Sequence, residues 1–215
     1  MTWLDLNRSY AVDMLVQHVR LAVPAIAISV LVAVVLGRVA WRWPKAGTAV
    51  LGVASLLYSV PALPLLIVIP VVLGIPLRSG LTLVVALAVY GTALLAGTAA
   101  DAFRSVDPRV REAAEAMGFS PVGLFWKVDL PLAVPVLLSG VRVITVSTVS
   151  LVTIGALVGI PSLGNLLTDG FQRGIREEIL TGLIGTMLLA IVLDVLLVAA
   201  GAVLTPWRRT AEATG

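Results

Sequence analysis

Five stretches of this chain are apolar for long enough to cross a bilayer, and this limits the fold before any motif is read. A spanning helix needs about 20 mainly apolar residues. Backbone N–H and C=O groups in hydrocarbon must pair within the segment, so such stretches are expected to be helical. They run from about Leu21 to Ala40, Ala46 to Leu73, Leu81 to Phe103, Leu132 to Val158 and Ile179 to Leu204. Pro24 is expected in the first turn of the first span, where a missing N–H is harmless. The second stretch is broken by Pro61, Pro64 and Pro70. It reads as one kinked span, or else as two short segments that add a crossing or a re-entrant piece. Composition agrees with the class: 59% of residues are hydrophobic and 13% charged, against about 45–50% and 25% in soluble domains. The expected fold is an all-α membrane protein with about five transmembrane helices.

Residues 1–15 read as an N-terminal lead-in at or outside the membrane surface, residues 16–207 as the membrane domain and 208–215 as a tail. MTWLDLNRSYAVD carries Asp5 and Asp13 and lacks the basic start and prompt apolar core of a cleaved signal peptide. Without cysteine there is no disulfide or thiolate metal site, and the single histidine, His18, reads as an interfacial residue without chemistry. No GxxxxGK[ST] phosphate loop exists, and neither Lys45 nor Lys127 follows a glycine. The chain is therefore expected to hold no cofactor and to be no enzyme; clustered nucleophiles for an intramembrane enzyme are not visible.

One interval away from the termini is charged and helix-forming instead: Asp107 to Pro131, DPRVREAAEAMGFSPVGLFWKVDLP. Asp107 is a suitable N-cap and Pro108 suits the first helical position. Val110, Ala113, Ala114 and Met117 recur at helical spacing, and Gly118 stands where a left-handed residue would end the helix. Ser120 and Pro121 repeat the opening signal for a second short helix to about Lys127, after which Leu130-Pro131 is expected to turn the chain into the fourth span. If this insert is cytoplasmic, the inner segments hold Arg38, Arg42, Lys45, Arg104, Arg109, Arg111, Lys127, Arg208 and Arg209. The outer ones then hold Arg8, Arg20, Arg78, Arg173 and Arg176. That imbalance is what the positive-inside rule requires, with the N-terminus out and the C-terminus in. The formal charge of +3 thus reads as orientation in the membrane, with no nucleic acid as partner.

EAAEAMG at Glu112–Gly118, nine further residues, then VDLP at Val128–Pro131 resembles the EAA loop of binding-protein-dependent ABC importer permeases. The resemblance implies a type I ABC importer permease fold in a prokaryotic cytoplasmic membrane, with a cytoplasmic two-helix coupling loop at 107–131. It implies that Glu112, Ala113, Ala114, Gly118, Leu130 and Pro131 lie at or beside the contact with an ABC ATPase. Two ATPase copies, carrying ATP and Mg, a second permease subunit and an extracytoplasmic substrate-binding protein would complete the assembly. SVPALPLLIVIP, LSGVRV from Leu138, GALVGIPSLG from Gly155 and AIVLDVLL from Ala190 look like the osmoprotectant branch, which imports glycine betaine, choline, carnitine or proline-like solutes. Ile160-Pro161-Ser162 departs from a Gly-rich turn frequent in relatives. Alternatives are a permease for another small solute, such as a methionine-like amino acid, and an ATP-independent secondary transporter or channel.

Inside the spans, Arg142 and Asp194 are ionisable, and such residues face protein or water. They read either as part of the translocation path, as an ion pair, or as structural groups. Pro61 and Pro64, beside Tyr58 and Ser59, read as a gate or as a packing kink. Gly155 and Gly159 have GxxxG spacing that fits close helix packing. The segment Gly159–Glu178 reads as a connector or as a short external helix rimming a pore mouth.

Overall fold

A computed structural model describes residues 3–206. Every regular element among them is helical: α1 (Trp3–Leu6), α2 (Arg8–Arg42), α3 (Pro44–Ser59), α4 (Ala62–Leu73), α5 (Gly80–Arg104), α6 (Pro108–Ala116), α7 (Pro121–Leu124), α8 (Leu130–Val152), α9 (Gly164–Arg173) and α10 (Arg176–Leu204). A π turn (Phe125–Asp129) joins α7 to α8, and a 3₁₀ turn (Thr153–Val158) follows α8. Trp207, Arg208, Arg209 and the tail 208–215 lie outside the described residues.

Four helices are long and apolar enough to cross a membrane, and α3 with α4 makes a fifth crossing if the bent pair counts as one span. The angle between α3 and α4 is 113°, which makes the second stretch a break rather than a gentle kink. Its cause is local. Pro61 drives Val60 out of the helical region, and both residues are extended before α4 begins.

The first span begins far earlier than its apolar run. Residues 8–20 are too polar to enter hydrocarbon alone, yet Tyr10, Met14, His18 and Leu21 recur at helical spacing and are all at least half-buried. They continue the buried stripe of Ala22, Ala25 and Ser29, so α2 forms without interruption. Two expectations fall with this. Pro24 lies deep inside α2 rather than in its first turn. His18 is not an idle surface residue: it is fully buried, and its Nε2–H donates to the Val149 carbonyl of α8 at 3.0 Å.

α5 is the central element, touching α2, α3, α4 and α8. Its buried residues are mostly small, among them Ala86, Gly91, Ala96, Ala99 and Ala100. Lipid tails give apolar packing no hydrophobic bonus, so close backbone approach through small residues replaces it. A Cβ added to Gly37 of α2 would lie 2.6 Å from the Ala99 Cβ, and one added to Gly140 of α8 would lie 2.6 Å from Leu95. Gly155 is packed in this way against Leu83, at 2.6 Å. Gly159 is not; it is exposed with φ +83 and ends the 3₁₀ turn, so the GxxxG spacing is not a packing pair.

The bundle has two distinct ends. At one, α9 packs on α10; Arg173 Nη2–H donates to the buried Glu178 carboxylate at 2.7 Å, and the Tyr10 hydroxyl donates to Asp169 at 3.3 Å. The segment Gly159–Glu178 is thus built around a ten-residue helix, with Ile160 and Ser162 buried in the turn before it. At the other end lies α6.

Candidate functional site

The cap signals of the polar insert have their expected partners. The Asp107 carboxylate accepts the Arg109 N–H at 2.8 Å, Pro108 opens α6, and the Ser120 hydroxyl accepts the Gly123 N–H at 3.2 Å. Gly118 takes φ +85 with open space where a Cβ would stand, so its requirement is conformational rather than steric. The inner face of α6 is carried by Ala114, buried with Leu124 and Val128 against Phe119 and Leu132. The rest of the expected apolar stripe points outward: Val110 is 46% and Met117 71% exposed, and Glu112 and Ala113 are exposed beside them. Val122 and Trp126 are likewise open to the surroundings. Apolar side chains on an otherwise charged helix outside the spans form the kind of patch that partners cover. A groove of about 280 Å³ runs along its base, lined by Trp41, Arg104, Pro108, Arg111, Glu112 and Glu115 among others.

The second short helix does not stop at Lys127. α7 passes through the π turn into α8, giving one helical run from Pro121 to Val158. Leu130 keeps helical angles, φ −68 and ψ −50, so Leu130-Pro131 makes no turn. The wider π turn, closed by Leu130 N–H on the Phe125 carbonyl, takes up the strain that a proline brings to a helix interior. Leu130 and Pro131 are half-buried at the foot of the span rather than on the outer surface.

At the break between α3 and α4, Ser59 donates to the Ser55 carbonyl at 2.9 Å, which closes the end of α3. Pro61 caps α4 and Pro64 lies in its first turn, where no N–H is needed. Tyr58 is half-exposed and packs on Tyr90 of α5, ring centroids 5.5 Å apart. Tyr58, Ser55 and Gly97 line a cleft of about 190 Å³. Tyr90 was absent from the sequence-based candidates, because nothing along the chain links it to Tyr58.

Arg142 and Asp194 do meet. Nε–H and Nη2–H of Arg142 donate to Oδ1 and Oδ2 of Asp194 at 2.6 and 2.7 Å, a two-pronged ion pair between α8 and α10. Each lies about 15–18 Å along its helix from the α6 end, near mid-span by helical rise. The side chains remain 46% and 26% exposed within this chain. An ionisable side chain within a span is costly against lipid tails, and here each of the two offsets the other's charge. Tyr58 and the ion pair are not in contact; α5 stands between α3 and α8.

Residues 21–210 match the family described as "Binding-protein-dependent transport system inner membrane component". An osmoprotectant import permease protein, OsmW, of Salmonella typhimurium is 32% identical over 206 residues, covering 93% of this chain and 94% of that protein. A choline transport system permease protein, OpuBB, of Bacillus subtilis is 29% identical over 192 residues, covering 88% and 86%. Among solved structures, an inward-facing MetNI methionine ABC transporter aligns with TM-score 0.72 and 21% identity, covering 91% of this chain and 94% of that one.

Proposed function

The chain belongs to the family of binding-protein-dependent transport system inner membrane components, as a permease subunit of an ABC importer, and we propose that its cargo is a small osmoprotectant bearing a quaternary ammonium group. The observation that carries this reading is the extent of the likeness to osmoprotectant and choline permeases, which runs nearly end to end. The methionine transporter resembles the chain in fold alone. Only 6% of residues are aromatic, too few for a full cation–π cage in the membrane, so cargo selection belongs mainly to a separate binding protein.

In this reading α6 docks in an ATPase, with Glu112, Ala113, Val110 and Met117 on the contact face and Gly118 setting the exit angle of the chain. Two ATPases, which carry ATP and Mg, engage two permease subunits, the second a copy of this chain or a homologue. Closure of the ATPases moves α6, and the spans alternate between outward and inward access. The break at Val60-Pro61 serves as the gate, and the Arg142–Asp194 pair borders the path. The end bearing α6 faces the cytoplasm. Arg38, Arg42, Lys45, Arg104, Arg109, Arg111 and Lys127 all gather there, which supports that orientation.

The test is uptake. Cells lacking osmoprotectant import, expressing the permease with its ATPase and binding protein, are expected to accumulate labelled choline, carnitine or glycine betaine at high salt. Accumulation of methionine with none of these three would overturn the cargo assignment.

A further inference from the structure

At the junction of α2, α6 and α8 the chain buries a carboxylate that neither the family motif nor the cargo path accounts for. Asp129 is 1% exposed and ends the π turn at the foot of α8. Arg38 of α2 places Nη1 2.8 Å from its Oδ2, and Arg111 of α6 places Nε 3.7 Å from its Oδ1. These are ion-pair distances, but none of the four atoms meets hydrogen-bond geometry. Arg111 has a second acid within reach, Glu115 Oε1 at 3.4 Å.

The two guanidinium groups share one aromatic ring. Arg38 Cζ lies 4.4 Å from the Trp41 ring centre and Arg111 Cζ lies 4.8 Å from it. Phe103 of α5 and Phe125 stand 5.6 and 5.3 Å from Arg38. Aromatic faces thus replace part of the water that the arginines lose on burial. A buried acid held by two cations from separate elements binds those elements to each other, because removing it leaves two like charges facing one another.

We propose that Asp129 is the positioning residue that transmits motion of α6 to α2 and α8 together. Its carboxylate keeps Arg38 while drawing Arg111, so a shift of α6 is felt by α2 and α8 at once; Glu115, on α6 itself, steadies Arg111 without adding a tie to the spans. The π turn supports this role. It widens the helix at Phe125–Asp129, and segments of this kind recur at functional sites. The proposal rests on the reading of α6 as the ATPase-docking element.

The experiment uses the complete importer in liposomes, with the binding protein loaded with choline or glycine betaine. Arg111→Gln, Asp129→Asn and their double variant are compared with wild type for ATPase co-purification and for solute imported per ATP hydrolysed. Each single variant is expected to retain the ATPase yet lose import per ATP by about tenfold, the order that coupling between sites carries. The double variant is expected to be no worse than either single one, and Arg111→Lys to restore most of the ratio. Arg111 is a quarter exposed, so its variants test the idea even if Asp129→Asn fails to insert. A wild-type ratio in Arg111→Gln, or losses that multiply in the double variant, would sink the proposal. Failure of wild-type permease to hold the ATPase would instead sink the docking reading.

Discussion

Arg142 and Asp194 show what one residue pair decides. Each alone would be a charge without a partner near mid-span; together they satisfy one another in two parallel hydrogen bonds. Neutralising one leaves the other stranded, whereas neutralising both leaves two polar groups of similar shape. Arg142→Gln and Asp194→Asn are each expected to reduce import more than the double variant does, measured by uptake at equal membrane abundance. Simple additivity across that cycle would remove the pair from the mechanism. Sequence exposed these two because charges stand out in apolar runs. It concealed Asp129, which along the chain is one more charge in an already charged loop. Arg38 likewise reads as an ordinary span-end cation. The burial of His18 is hidden for a different reason: it depends on a helical phase shared with the span, which hydropathy averaging erases.

Among elements, α6 was the most legible, because its start and end are fixed by local rules. Asp107, Pro108 and Gly118 each have one conformational task. Gly118→Val should impose about 1–2 kcal/mol of left-handed strain, whereas Gly118→Asn should be tolerated. Binding-protein-stimulated ATP hydrolysis is therefore expected to fall in the valine variant and stay near wild type in the asparagine one. Equal activity in both would separate the turn from coupling. The far end of the loop was less legible. Leu130-Pro131 looks like a stop, but the π turn absorbs the proline, and a turn closed five residues back has no signature of its own. The angle of the α3–α4 break was also beyond local reading. Pro61 announces a departure from helix but not its size, and the 113° bend leaves α4 in contact with α5.

For the whole molecule, the distribution of charge between the two ends makes an orientation testable. The chain has no cysteine, so each introduced thiol is unique. On intact cells, Phe171→Cys on α9 is expected to react with a membrane-impermeant maleimide, and Ala116→Cys on α6 only after the membrane is opened. Both positions are exposed, so reactivity reports sidedness rather than burial. The reverse pattern would invert the topology.

The unbroken run from Pro121 to Val158 has a mechanical consequence. At 38 residues it is about 57 Å long by helical rise, nearly twice the roughly 30 Å of hydrocarbon that it crosses. Its foot stands beside α6, and its far end carries Val149, pinned to His18. A rod pinned near one end and pushed at the other is a lever with a fulcrum. With about 42 Å between Val149 and the foot, a tilt of about 5° would carry the foot through roughly 4 Å while the region around Val149 scarcely moves. Run backwards, the same gearing turns a small shift at the far end into a larger one at the foot, with a correspondingly smaller force.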